Sequence, residues 1–259
     1  MSTPPKARPS SAAAAPPWYD QAFGPLYPDV YAHRDVLSAG REVAFALELG
    51  LGQRVLDLCC GWGRHAIHLA RAGLHVVGVD RSFDLLRLAQ ERAEFQAALR
   101  GRLVRADMSQ LPFEGACFDS VLNLFSSFGY LSEADDRATL LELARVLRPG
   151  GRALLDLMNP KRVRQGLVPR SERKGPGFSL LEQRRLEGGG ARVVKEVRFT
   201  PEGQPPQHWC EVVRLYELGE CLALLESAGL DLESAFGAFE RTALADDSPR
   251  MLLLARRRR

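Results

Sequence analysis

Asp57, Asp80 and Asp107 each close a short apolar run, and Gly61 and Gly63 follow the first of these acids within six residues. A carboxylate at the end of a buried strand can accept from hydroxyls or hold an ammonium. Glycine removes the Cβ that keeps a ligand away from the backbone, and a helix start offers unpaired N–H groups. The stretch from Val55 to Ala66 therefore reads as a strand feeding a helix through a turn that a ligand can approach. In an open parallel sheet, ligands sit beyond the carboxyl ends of the strands. One acid there says little, because loops are acidic anyway; three in register with a glycine turn say more. Asp80 follows Gly61 by 19 residues, a spacing that suits a ribose diol.

Alternating elements must carry these acids. The spacing predicts a helix over 35–49 with Asp35 as N-cap, then strands at Arg54–Leu58, His75–Asp80, Leu103–Asp107, Phe118–Leu124 and Ala153–Leu157. Helices are expected over 83–98, capped by Ser82, and over 133–147, stopped by Arg148-Pro149-Gly150-Gly151. Strands that alternate with helices imply right-handed crossovers and a parallel sheet covered on both faces. After Met158 the rhythm changes. Residues 159–177 read as loop and short helix, and strand-like runs follow at 178–186, 192–200 and 208–216, separated by glycine and proline turns. A helix over 217–228 precedes two last strands, 230–239 and 250–255, which complete the sheet as an edge hairpin. The expected fold is α/β: a doubly wound, mostly parallel seven-stranded, Rossmann-like sheet with an antiparallel insertion after the fifth strand. Residues 35–158 and 217–259 form the main domain, and 159–216 form a cap over the substrate.

Residues 1–17, rich in Pro, Ala and Ser, read as a disordered tail. Trp18 to Arg34 holds five aromatic residues broken by Pro25 and Pro28, which forbid one long helix. Two readings stand for it: a flap packed on the core, or a lid over a ligand. The net charge is +3, of which Arg256 to Arg259 supply four positives, so the body has no basic excess and a nucleic-acid partner is disfavoured. The five cysteines form no CxxC pair, so no metal is expected, and they read as buried thiols of a cytoplasmic protein. No apolar run is long enough to span a membrane.

Gly61-x-Gly63-x-x-Ala66 satisfies the nicotinamide-dinucleotide fingerprint, a weak signal by itself. Asp57-x-Cys59-x-Gly61-x-Gly63 with Asp80, then Ala106-Asp107-Met108 and the segment from Leu143 to Leu155, together resemble the class I S-adenosylmethionine-dependent methyltransferases over roughly residues 35–158. Cys59 stands where that family often has glycine. The resemblance implies S-adenosylmethionine as cofactor and S-adenosylhomocysteine as product. It implies that Gly61 and Gly63 admit the methionine moiety, Asp57 faces its ammonium, Asp80 takes the ribose hydroxyls, and Asp107 and the Met108 N–H meet the adenine. Asn123, Leu124 and Phe125 would lie near the sulfonium, with Cys59, Arg81, Tyr19, Tyr31 and Arg34 as further cofactor contacts.

Asn123 to Leu131 carries no Asn/Asp-Pro-Pro-aromatic sequence of the kind found in methyltransferases acting on nucleobase amines; it looks like that of members acting on small molecules. Phe125 and Tyr130 can place π faces near a sulfonium or a substrate ring. The insertion is also similar to those of small-molecule methyltransferases. Glu211, Arg214 and Tyr216 are read as sharing one strand face, with Arg214 and Tyr216 either in the pocket or on an exposed sheet face. His33 and His208 are each either a base or structural. The expected reaction is a one-step SN2 transfer to an N or O nucleophile of a small molecule, by a monomer or homodimer. The alternatives are an NAD(P)-dependent oxidoreductase, whose hydride-side dyad has no evident residues here, and a non-catalytic S-adenosylmethionine-binding protein.

Overall fold

The computed structural model describes residues 17–32 and 34–259. Helices α1 (Trp18–Ala22), α2 (Tyr27–Val30) and α3 (Val36–Glu48) lead into β1 (Arg54–Leu58) and α4 (Arg64–Arg71). Next come β2 (His75–Asp80), α5 (Phe83–Glu91), α6 (Ala93–Leu99), β3 (Leu103–Arg105), β4 (Phe118–Asn123), α7 (Glu133–Val146) and β5 (Leu147–Leu157). Then follow α8 (Pro160–Gly166), β6 (Arg170–Gly175), β7 (Phe178–Glu187), β8 (Arg192–Pro201), β9 (Gln207–Arg214), α9 (Leu218–Ser227), β10 (Leu230–Phe236) and β11 (Met251–Arg257).

The main sheet has the order β10-β11-β5-β4-β1-β2-β3 and is parallel except around β11, which runs antiparallel to both its neighbours. Alternation along the strands separates two cores. Val55 and Leu122 face the layer containing α3 and α4, whereas Leu56, Leu58 and Val121 face the layer containing α7 and α9. Asp57 shares the face of Val55, so it points toward α4. Side chains such as Leu56 and Ile67 are fully buried and stabilise by about 1.5–3 kcal/mol each. The second sheet, β6-β7-β8-β9, is antiparallel throughout. Its Leu180, Val197, Phe199 and Trp209 pack in one cluster with Ala22, Tyr27, Val30 and Tyr31 of the N-terminal helices.

Several boundaries differ from those expected. The helix expected over 83–98 breaks at Arg92, whose backbone is extended and whose guanidinium sits 4.1 Å from the Trp62 ring centroid. The break lets Phe95 turn inward beside Trp62. β5 begins at Leu147, earlier than Ala153, because the proline–glycine segment is a bulge: pairing jumps from Leu147 opposite Phe118 to Arg152 opposite Ser120. β6 lies inside the expected loop; its Arg-Ser-Glu-Arg-Lys-Gly sequence has no apolar alternation because it is a largely exposed edge. β3 stops at Arg105, leaving Asp107 in the turn that follows. Glu217 caps α9 reciprocally with Glu220 instead of opening it.

Candidate active site

The glycine turn is stapled to the neighbouring strand end. The Cys60 N–H donates to the Val79 carbonyl at 2.9 Å, and the Gly61 N–H donates to Asp80 Oδ2 at 2.7 Å. The other oxygen of Asp80 accepts the Ser82 N–H that opens α5. An added Cβ at Gly61 would meet nothing nearer than Leu85 at 3.7 Å, so its φ of +56°, and not packing, calls for glycine. Cys59 takes φ +59° without that freedom, at a cost on the order of 1–2 kcal/mol. Its Sγ lies 3.5 Å from Met108 Sδ.

Beneath the turn, Asp57 is 1% exposed and its Oδ2 has no hydrogen-bond partner. Burial raises its pKa to about 7, against the pull of Arg64 and of the Ala66 N–H. Arg64, also buried, is ion-paired with Glu42 at 3.0 Å, yet neither of its terminal nitrogens makes a hydrogen bond. Glu42 also lies 2.5 Å from His65, whose pKa burial pushes down to about 4. Arg34 brings a third unpartnered buried nitrogen, its Nε, while its guanidinium stacks 3.1 Å from the Phe125 ring centroid and 4.2 Å from that of Tyr31. Arg64 has no counterpart among the expected residues. The signal was present, since an arginine directly after the second glycine of the turn opens the helix that follows, and that helix is buried.

Arg34, Arg64 and His65 reach the wall of a cleft of about 840 Å³, its open mouth included, whereas Asp57 does not line it. Tyr19, Arg34, Cys59, Gly61, Asp80, Arg81, Asp107, Met108, Leu124, Phe125 and Tyr130 line it, joined by Phe23, Tyr27, Arg64 and His65. Trp18 and Phe23 pack on Tyr130 with centroids 5.0 and 5.6 Å apart. Burial pushes the Tyr130 phenol well above its ordinary range. Arg81 bridges Asp107 and Asp20 of α1, each at 2.8 Å, so an exposed ion pair ties the N-terminal helix to the third strand end.

Other expected residues lie elsewhere. Gly63 caps α4 behind the turn, and Asn123 donates to the Leu58 carbonyl at 3.3 Å. Tyr31 turns away to Glu211, to which its hydroxyl donates at 2.5 Å, and accepts from Lys195 at 2.7 Å. Arg214 and Tyr216 do not line the cleft: Arg214 is ion-paired with Glu220 at 2.6 Å, and the Tyr216 hydroxyl donates to the buried Asp136 at 2.8 Å. Glu211 does not share their face, because an odd separation along a strand reverses the side; it is buried with Trp209 and Val213. His208 is exposed on β9, with its carbonyl accepting from Gln21. His33 lies outside the described residues.

Residues 55–151 match the family model described as "Methyltransferase domain". The demethylmenaquinone methyltransferase of Clavibacter sepedonicus is 39% identical over 104 residues, 40% of each chain. That of Streptomyces avermitilis is 35% identical over 127 residues, 47% of this chain and 52% of the other. The chain thus spans about half the length of the curated relatives it matches. Among solved structures, an S-adenosylmethionine-dependent methyltransferase from Clostridium acetobutylicum is 18% identical with a TM-score of 0.77, covering 90% of this chain and 96% of that one. The amino pentose methyltransferase of Micromonospora echinaspora is 23% identical with a TM-score of 0.66, covering 90% and 96%. Over residues 55–151 the chain thus resembles the methyltransferase-domain family, and it shares its seven-stranded fold with these structures.

Proposed function

We propose that this protein is an S-adenosylmethionine-dependent methyltransferase that methylates an N or O nucleophile of a small molecule. The observation that carries the reading is a set of buried polar atoms that lack hydrogen-bond partners near the glycine turn and the cleft. Asp57 Oδ2, the Arg64 terminal nitrogens and Arg34 Nε are buried without hydrogen-bond partners, and buried polar groups of this kind are costly unless something meets them. An amino-acid tail is a zwitterion: its ammonium suits Asp57 and its carboxylate suits the two guanidiniums. Asp80 would accept from the ribose hydroxyls, and Asp107 with Met108 would hold the adenine. The residues present therefore fit S-adenosylmethionine, and the family match favours this reading over a nicotinamide-dependent oxidoreductase.

When bound, that cofactor supplies an activated methyl group on a sulfonium, which a nucleophile takes by in-line displacement. The protein's task is mainly alignment, which for ideal placement supplies on the order of 7–11 kcal/mol. Phe125 and Tyr130 would face the acceptor, with Tyr19 and Tyr27 above it. Residues 18–34 act as a lid, 159–216 as a cap under that lid, and 35–158 with 217–259 as the cofactor domain. Among the described cleft residues none is placed as a base: His65 is tied to Glu42, and the Tyr130 phenol resists ionisation at neutral pH. This favours an amine that arrives neutral, or an already acidic O–H. No described helix is long and apolar enough to cross a membrane, and the cysteines are free, which supports a cytoplasmic setting.

Thermal-shift and calorimetric titration with S-adenosylhomocysteine and with NAD tests the reading. A shift with the former alone is expected; a response to NAD alone would sink it. Methyl transfer to metabolite pools separates an enzyme from a binding protein.

A further inference from the structure

Phe125 and Ser126 are consecutive non-glycine residues with φ of +77° and +57°, separated by Leu124 from the strand that ends at Asn123. Backbone strain of this kind persists only where the surroundings over-determine it, and it clusters at working sites. Here the surroundings are one acid and one guanidinium. Asp156, on β5 and 1% exposed, accepts the Phe125 N–H on its Oδ2 at 2.8 Å, while its own carbonyl accepts the Ser126 N–H at 2.9 Å. Arg250, next to β11, donates from Nε to Asp156 Oδ1 at 2.7 Å and from Nη2 to Ser126 Oγ at 2.9 Å. Its Nη2 also lies 2.5 Å from Asp156 Oδ2. Neither residue lines the cleft, whereas Phe125 does, with Arg34 against its ring. A buried ion pair is a poor source of stability; its better use is to specify one conformation.

We propose that Asp156 and Arg250 are positioning residues that hold the Phe125–Ser126 turn in its left-handed form and thereby fix the cleft wall that aligns the acceptor. The proposal rests on the methyltransferase reading above. Three strand ends meet in this arrangement: β4 supplies the strained turn, β5 the acid and β11 the guanidinium. The cofactor residues Asp80 and Asp107 stand on the far side of the sheet, after β2 and β3. Arg34 stacks on Phe125, but it is also held by the Tyr27 hydroxyl at 3.3 Å, so loosening the turn should lower the transfer rate far more than cofactor affinity.

The full chain carrying Asp156→Asn, Arg250→Gln or Asp156→Asn with Ser126→Gly provides the test. Amide hydrogen exchange at residues 125 and 126, the Kd for S-adenosylhomocysteine, and the rate of labelled methyl transfer from S-adenosylmethionine to a fixed metabolite extract are measured. Each single variant should speed exchange at both amides at least tenfold and slow transfer at least tenfold, with Kd within threefold of wild type. Ser126→Gly should restore transfer at least threefold in the Asp156→Asn background, since glycine adopts the left-handed conformation without a Cβ penalty. Unchanged exchange, a Kd that weakens in step with the rate, or no rescue by glycine would each overturn the proposal. Should Asp156→Asn fail to fold, Arg250→Gln alone decides by the same exchange and Kd criteria. If the wild-type chain binds no S-adenosylhomocysteine, the methyltransferase reading falls, and exchange at the two amides still decides whether the pair holds the turn.

Discussion

Asp80 accepts the Gly61 N–H at 2.7 Å, so the acid at the end of β2 is a clamp on the glycine turn before any ligand arrives. The same carboxylate is the one proposed to meet the ribose. Loop geometry and ligand affinity therefore depend on one side chain.

Asp80→Ala removes both roles. A hydrogen bond to a charged group contributes about 1.5–3 kcal/mol, so the Kd for S-adenosylhomocysteine should weaken roughly 10- to 150-fold. Calorimetric titration reads this directly. An unaltered Kd would show that the ribose lies elsewhere.

Tyr31→Phe deletes the hydroxyl that donates to Glu211 and accepts from Lys195. Glu211 keeps Lys195 at 2.7 Å and the Trp209 N–H at 3.0 Å, so the acid is not orphaned. The variant should lose about 1–3 kcal/mol of stability, seen as a lower urea midpoint at constant m. A loss in this range with little change in S-adenosylhomocysteine Kd would mark Tyr31 as a tie between lid and cap, not a cofactor contact.

Asp57 gives a pH dependence with a definite sign. Burial raises its folded pKa from 3.8 to about 7, so between these values the folded state holds a proton that the unfolded state has released. Its contribution to stability is full below the unfolded value and is lost as pH rises toward 7. The melting temperature of wild type should fall relative to that of Asp57→Asn between pH 4 and 7. An ammonium ligand favours the ionised acid, so S-adenosylhomocysteine should bind more tightly as pH rises through about 7, and Asp57→Asn should flatten that slope.

Gly129 has φ +97°, and a Cβ there would lie 2.6 Å from the Arg214 carbonyl oxygen. Neither neighbour can move cheaply, because the Arg214 N–H donates to the Gly129 carbonyl at 2.8 Å. Gly129→Ala should destabilise the fold by about 3 kcal/mol or more in urea titration. A loss under about 1 kcal/mol would mean that the loop from Phe125 to Leu131 can shift as a unit.

The sequence by itself determined the alternation of strands and helices, the glycine turn and the three acids, because each is written in local periodicity and in residues adjacent along the chain. It also marked 18–34 as aromatic and twice broken by proline, and 178–216 as strand runs between turns. Edges were less legible: β6 is too polar to show alternation, and the bulge opening β5 looks like a helix stop. What only the tertiary structure decided was pairing across distance. Arg64 pairs with Glu42, Arg34 stacks on Phe125, Arg81 spans Asp20 and Asp107, and Asp156 with Arg250 grips the Phe125–Ser126 turn from 31 and 124 residues away. It also turned Arg214 and Tyr216 away from the cleft and Glu211 to the opposite face. No periodicity encodes such contacts. They arise where packed layers bring buried charges together, and each charge then takes the partner that the fold delivers.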